Sequence, residues 1–241
     1  MADPRDKLDA QPLYAQVKRV LTERILSGIW APGRALPNEF QLAEELGVSQ
    51  GTVRKALDAL AAEHLVERHQ GRGTFVARHT SDNVHFRFFQ LYGASGRIHP
   101  ESRDVEIAVD EPNARERAAL AVSPETRVIR ILRTRTHQAR SIIDEKISLS
   151  ETLFADLLNR ETIPNTLYDL YQTDFGITVA RVEENLRAVA AGEHTARRLT
   201  CRVGEPLLAI ERIAFDYSGQ PVELRVSHCL TDAVFYHCTL K

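Results

Sequence analysis

Early in the chain, apolar residues recur with helical spacing. Val53, Ala56, Leu57 and Leu60 fall at i, i+3, i+4 and i+7, one apolar stripe along a helix, and Ser49 just before them is a favoured N-cap. A shorter stripe precedes it, in which Leu42, Ala43 and Leu46 share the inner side of a helix that Asn38 can cap. Gly47 ends that helix in a turn only a few residues long. Two short helices across a tight glycine turn predict a helix-turn-helix. Downstream, LVERHQGRGTFVA (65–77) reads as a strand, a Gly-Arg-Gly tip and a second strand, a small wing.

The pattern then changes. ARHTSDNVH (77–85) is polar and pattern-free between apolar segments, as a linker is. Beyond it, long alternating segments at 127–137 and 177–189 predict strands, with helical stretches between them. A partial repeat is visible: ARERAALAV then TRVIRILRTRTHQARSIIDEKISL recurs as EHTARRLTC then EPLLAIERIAFDYSGQPVELRVSHCL. Leu120 aligns with Leu199, Arg133 with Arg212 and, after a one-residue change near the turn, Glu145 with Glu223. Each unit reads as helix, strand, tight turn, strand. Two such units predict one antiparallel sheet with helices packed on one face and a cavity near the repeat junction. The expected organisation is therefore α+β: a flexible N-terminal tail (1–11), a winged helix-turn-helix (12–78), a linker (79–85) and a sheet domain (86–241).

Composition narrows the function classes. A net charge of −2 argues against coating nucleic acid or membrane by charge alone. Residues 1–78 carry eleven Lys or Arg against ten Asp or Glu, net +1, and the remainder twenty against twenty-three, net −3. The basic excess is slight, so its placement matters more: Arg34, Arg54, Lys55, Arg68 and Arg72 are expected on one side, with Glu44, Glu45, Glu63 and Glu67 pointing elsewhere. The three cysteines, Cys201, Cys229 and Cys238, show no metal-type spacing and do not suit a disulfide framework, which fits a reducing cytoplasm. No apolar core of a signal peptide and no run of eighteen apolar residues occurs, so a soluble, cytoplasmic protein without membrane contact is expected. His228, Cys229, His237 and Cys238 are near in sequence, but adjacent strand residues point to opposite faces, so no metal site and no cofactor is expected. G-x-S-x-G, P-loop and H-E-x-x-H patterns are absent.

In a helix-turn-helix the start of the second helix enters the major groove, here Gln50, Gly51 and Thr52 with Arg54 and Lys55 close behind. Gly51 removes side-chain bulk where another surface can come close, and the wing can hold Arg72 over the backbone or minor groove. The plainer reading of the outer helix face is a solvated surface, and of the tip an ordinary hairpin turn. Helix and wing occurring together at the right separation favour double-stranded DNA. Because one copy binds weakly, a homodimer on a palindromic operator is expected.

These residues carry a resemblance. Residues 12–78 are similar to the winged-helix domain of the GntR family of bacterial transcription regulators, in PLY at 12–14, PG at 32–33, LPNE at 36–39, LA at 42–43, GVS, TVR, AL and GRGTFV at 71–76. The resemblance implies DNA contact by Arg34, Asn38, the start of the recognition helix from Ser49, Arg54 and the wing at Arg72 and Gly73. Phe40 and Gln50 stand where arginine is usual, and Asn38 replaces the usual serine cap. Residues 84–241 resemble the UTRA ligand-sensing domain of the HutC subfamily, whose fold is similar to chorismate lyase.

Alternation offers candidate ligand residues in the second half. Arg133 and Arg135 share one strand face, and Glu145 lies on the strand paired back through the QARS turn. Two guanidinium forks beside one carboxylate suit a small anionic effector, a carboxylate or phosphate metabolite that also carries a donor. A solvent-facing salt bridge is the competing reading. The resemblance favours the effector, and implies pocket roles for Thr166, Tyr168 and Glu223 and a loop role for Phe89. The tyrosine usual near the last strand is replaced by His228 or Cys229. The reading is an effector-controlled transcription regulator, a repressor and not an enzyme. A chorismate-lyase-like enzyme acting on a small carboxylate is the alternative, and an architectural DNA protein without ligand a third.

Overall fold

Both predicted helix caps form. The structure, a computed structural model, describes residues 11–63, 65–78 and 88–239, and the chain divides into two compact units between Arg78 and His79. The tail expected at 1–11, apart from Gln11, and the linker expected at 79–85 lie outside the described residues.

In the first unit, helix α1 (Leu13–Leu26) precedes α2 (Glu39–Leu46) and α3 (Gln50–Ala62). Asn38 closes a capping box on α2, its side chain accepting from the Gln41 amide at 2.9 Å while Gln41 accepts from the Asn38 amide at 3.0 Å. Gly47 ends α2 at φ 64°, a left-handed conformation that glycine adopts without a Cβ penalty. Ser49 then caps α3 by accepting from the Thr52 amide at 3.1 Å. The predicted stripe, Val53, Ala56, Leu57 and Leu60, is buried with Val17, Leu21 and Ile25 of α1. Strands β1 (Val66–His69) and β2 (Gly73–Val76) pair antiparallel as the wing, and Ala35 bridges to Phe75.

The second unit is built on six antiparallel strands in the order β5-β6-β7-β10-β9-β8: β5 (Glu101–Asp110), β6 (Val128–His137), β7 (Arg140–Ser150), β8 (Val179–Ala190), β9 (Pro206–Asp216) and β10 (Pro221–Leu230). Helix α4 (Ala114–Leu120) connects β5 to β6. Helix α5 (Glu151–Phe154), a 3-10 turn (Ala155–Asn159) and α6 (Leu167–Phe175) lie between β7 and β8, and α7 (Glu193–Leu199) connects β8 to β9. A small sheet, in the order β11-β3-β4, is made of β3 (Leu91–Gly93), β4 (Gly96–Arg97) and β11 (Phe235–Tyr236).

The internal repeat is real and one strand longer than its sequence trace: strand, helix, strand, strand occurs twice, and the two copies meet along β7 and β10. Two details differ from expectation. Helices cover both faces of the sheet. Leu120 of α4 packs with Val128 and Leu224, and Leu199 of α7 with Leu207 and Leu230, on one face. Phe154, Leu157, Leu167 and Tyr171 bury Ile129, Ile131, Ile147 and Leu149 on the other. Alternating apolar residues on both faces of the central strands demand cover on both. The register also overturns one alignment. Glu145 faces Arg133, whereas the residue facing Arg212 is Arg225, so the counterpart of Glu145 is Arg225 and not Glu223. The β7–β10 pairing agrees, since Glu145 faces Ser227 and Arg225 faces Ile147. Each hairpin carries one bulge, between Arg135 and Thr136 and between Pro221 and Glu223, so the extra residue of the second hairpin lies in its turn, three residues (217–219) against two (138–139).

Candidate DNA interface and effector site

On the first unit, Gln50, Gly51, Arg54 and Lys55 are exposed at the start of α3 and Thr52 is half-buried, its hydroxyl 2.9 Å from that of Ser49. A Cβ at Gly51 would meet nothing closer than Ser49 Oγ at 3.8 Å, so the fold itself does not require glycine there. Arg34 is exposed, and Arg72 is exposed at the wing tip between Gly71 at φ 72° and Gly73 at φ 108°. A groove of about 1280 Å³ between the start of α2 and the wing brings together Asn38, Glu39, Phe40, Arg68, Arg72 and Gly73.

The cations of this face are not all loose. Arg54 donates Nε and Nη2 to Glu39 at 3.0 and 2.8 Å, and Arg68 pairs with both Glu39 and Asp58. Hydrogen bonding from Arg54 pulls the Glu39 carboxyl below its ordinary value. The Lys55 ammonium lies 4.2 Å from the centre of the Tyr14 ring, so α1 orients it. Glu45 pairs with Arg24, and Glu63 at the C-cap of α3 pairs with Lys18, both partners on α1.

On the second unit, alternation puts Arg133 and Arg135 of β6, Glu145 of β7, Arg212 of β9, and Glu223, Arg225 and Ser227 of β10 on one sheet face. All are nearly removed from solvent, Arg133 being 1% and Glu145 3% exposed. The predicted salt bridge is therefore a buried cluster and not a surface pair. Arg133 Nε donates to Glu145 at 2.5 Å, and its Nη1 donates to Ser102 Oγ at 3.1 Å and the Asn165 carbonyl at 3.2 Å. Glu145 also accepts from Ser227 at 3.2 Å and Arg225 at 3.5 Å. Burial opposes its charge, but Arg133, Arg225 and Arg135 together hold the carboxyl well below its ordinary range. Glu223 accepts two bonds from Arg225, at 2.9 and 2.8 Å, and hydroxyl donations from Tyr168 at 3.1 Å and Tyr171 at 2.7 Å. Burial, then Glu223, pushes the Tyr168 phenol up to about 12, which keeps it a neutral donor.

A recess of about 350 Å³ opens on this cluster. Of the predicted residues, Phe89, Arg133, Arg135, Thr166 and Tyr168 line it together. Glu145 instead lines a neighbouring recess of about 370 Å³ with Ser227 and Tyr236, while Glu223 lies behind Arg225 and Tyr168 and fixes both. Asn165, Arg212 and Arg225 join the first recess without having been singled out from sequence. Both arginines were legible in principle: Arg212 as the repeat mate of Arg133, Arg225 as the same-face neighbour of Glu223 two residues on. Of the pair expected to replace the usual tyrosine, Cys229 is packed among Ile143, Ile210 and Val234, whereas Tyr236, further on, reaches the second recess and donates to Glu184.

The model of bacterial regulatory proteins of the gntR family matches residues 13–76, and the model of the UTRA domain matches 95–234. The chain belongs to the GntR family and carries a UTRA domain. The histidine utilization repressor of Pseudomonas putida is 31% identical over 214 residues, 88% of this chain and 85% of that protein. The HTH-type transcriptional repressor NagR of Bacillus subtilis is 28% identical over 214 residues, 88% of each chain. Among solved structures, the ligand-binding domain of a Bordetella bronchiseptica protein described as a GntR-family regulator is 31% identical. It superposes with a TM-score of 0.58 over 64% of this chain and 98% of that one. PhnF of Mycobacterium smegmatis shares the fold over 93% of this chain and 99% of its own, at 21% identity and a TM-score of 0.57. The protein is a transcription regulator of the GntR–UTRA type, and its relatives are named as regulators rather than enzymes. Among the described residues no helix is long and apolar enough to cross a membrane.

Proposed function

We propose that this GntR–UTRA regulator is a cytoplasmic homodimeric repressor that binds a palindromic operator through its first unit (12–78) and a small anionic metabolite through its second (86–241). Gln50, Gly51 and Thr52 enter the major groove with Arg54 and Lys55 behind them, and Arg34, Asn38, Ser49, Arg72 and Gly73 meet the backbone or the minor groove. Gly51 supports this placement: glycine inside a helix costs about 0.5–1 kcal/mol relative to alanine, and no neighbouring group of the fold requires it. The effector sits against Phe89, Arg133, Arg135, Thr166 and Tyr168, with Glu145 and Glu223 setting the arginines behind it.

The observation that carries the reading is the recess in the UTRA domain, floored by buried arginines and walled by Phe88, Phe89, Leu167 and Tyr168. A wholly structural core has no need of four guanidinium groups, since well-packed apolar residues are as stable or more so. Effector and operator are linked through two conformations of the dimer, so operator DNA must change effector affinity by the factor that effector changes operator affinity.

The test uses an operator selected from random DNA by the wild-type protein. Replacing both Arg54 and Arg72 by Ala is expected to weaken operator binding by about a hundredfold or more, with far-UV circular dichroism unchanged. Binding at wild-type affinity by the double variant sinks the helix and wing assignment.

A further inference from the structure

Three of the four arginines around the recess have a carboxylate of their own. Arg133 is held by Glu145 at 2.5 Å, Arg225 by Glu223 at 2.8 Å and Arg212 by Glu184 at 2.6 Å. Arg135 is different. Among the described residues its nearest carboxylate oxygen, on Glu145, is 4.0 Å away and is the same oxygen that accepts from Arg133. Its Nη2 donates to the Pro100 carbonyl at 2.7 Å, and its Nε is buried without a hydrogen-bond partner. Among the described residues the cluster therefore sets four cations against three carboxylates, with Tyr168, Tyr171 and Ser227 as neutral donors. Burial first, and then Arg133, pulls the Arg135 pKa down to about 9, the direction expected of a buried cation in deficit.

We propose that the effector is a monoanion whose carboxylate completes Arg135, and not a phosphate monoester. The inference rests on the reading of the recess as the effector site and names the chemical class that site takes. A carboxylate supplies the one missing charge and a planar acceptor for a guanidinium edge. A phosphate monoester carries about −1.5 to −2 at neutral pH, which would leave a surplus negative charge of about one beside Glu145 and Glu223, where an unpaired charge is costly. The rest of the ligand is small and apolar or aromatic. The recess is small, and Phe88, Phe89, Leu167 and Tyr168 line it.

The free protein should register the same imbalance. Arg135→Met in the full chain removes an uncompensated buried cation, so its unfolding midpoint without ligand is expected to rise by about 2–4 °C or more. Arg135→Gln, closer in polarity, should move it in the same direction. Benzoate and phenyl phosphate, matched in body and different in charge, serve as probes above pH 6. Subtracting the shift seen in Arg135→Met from that in wild type removes any nonspecific effect of the salts. The expected result is an Arg135-dependent rise with benzoate that exceeds the one with phenyl phosphate. A lower midpoint for both free variants overturns the charge count. A larger Arg135-dependent rise with phenyl phosphate overturns the monoanion while leaving the effector site standing. No Arg135-dependent rise with either probe removes the effector-site reading itself, and the inference with it.

Discussion

Glu39 in the first unit and Glu145 in the second each bridge two arginines, and their surroundings give the two carboxylates opposite properties. Glu39 joins Arg54 and Arg68 at a surface where the Arg54 side chain is 61% exposed. Water screens that network, so the pairs contribute little and their guanidinium groups can exchange a carboxylate for a DNA phosphate at small cost. Glu145 joins Arg133 and Arg225 beneath the recess, all three nearly out of solvent. In a low dielectric the same contacts lock their partners, and a charge left without a counterion stays costly. One network holds arginines that a large polyanion can take over. The other holds them fixed on one sheet face by contacts shielded from water.

The largest expected effect comes from breaking the buried bridge. Glu145→Ala leaves Arg133 without its carboxylate beside Arg135 and should lower the unfolding free energy of the UTRA domain by about 3–5 kcal/mol, measured by urea denaturation. The Glu145 carboxyl is held below its ordinary value of 4.5, so the unfolded chain takes up its proton first as pH falls. Its contribution is therefore full above about 4.5 and lost below it, and the acid limb of stability against pH should be shallower in Glu145→Ala. An equally steep limb would show that other carboxyls govern acid unfolding. Glu116, which Arg130, Asn113, Lys146 and Ser148 hold far below its ordinary range against the effect of burial, is the next to test.

An intermediate effect belongs to base readout and touches only the exposed network's side of the comparison. Gln50 is exposed beside the α3 cap, and glutamine pairs with adenine where arginine prefers guanine. Gln50→Arg should change base preference in the selected operator by about 1–3 kcal/mol at one position, with the unfolding midpoint unmoved. A uniform tightening on every sequence would place residue 50 on the phosphates instead.

The smallest effect sharpens the contrast most. Glu39→Gln removes the carboxylate shared by Arg54 and Arg68 and should cost no more than about 1 kcal/mol of stability. Added salt should shrink that difference further. A loss comparable to that of Glu145→Ala would mean that exposure does not separate the two networks.

The DNA-binding unit was legible because its signals are local. Asn38, Gly47 and Ser49 act within a few residues of themselves, and the stripe from Val53 to Leu60 buries as its spacing predicts. The pairing of Arg133 with Glu145 was legible too, because a hairpin turn relates them directly. Contact of Thr166 and Tyr168 with the same recess came only through family resemblance, since a loop and helix bring them over the sheet from outside the repeat.

Sequence by itself determined the helix-turn-helix, the wing, the helix-strand-strand repeat and the alternation that lays charged residues along one strand face, since each is written in local patterns along the chain. Tertiary structure decided that Glu145 corresponds to Arg225, that both sheet faces are covered, and that Glu184 neutralises Arg212 while Arg135, among the described residues, keeps no carboxylate of its own. Those outcomes turn on unequal hairpin turns and on strands far apart in the chain. A shift of one residue in a sheet moves every side chain to the other face, and only the packed structure settles which charges share a low-dielectric space.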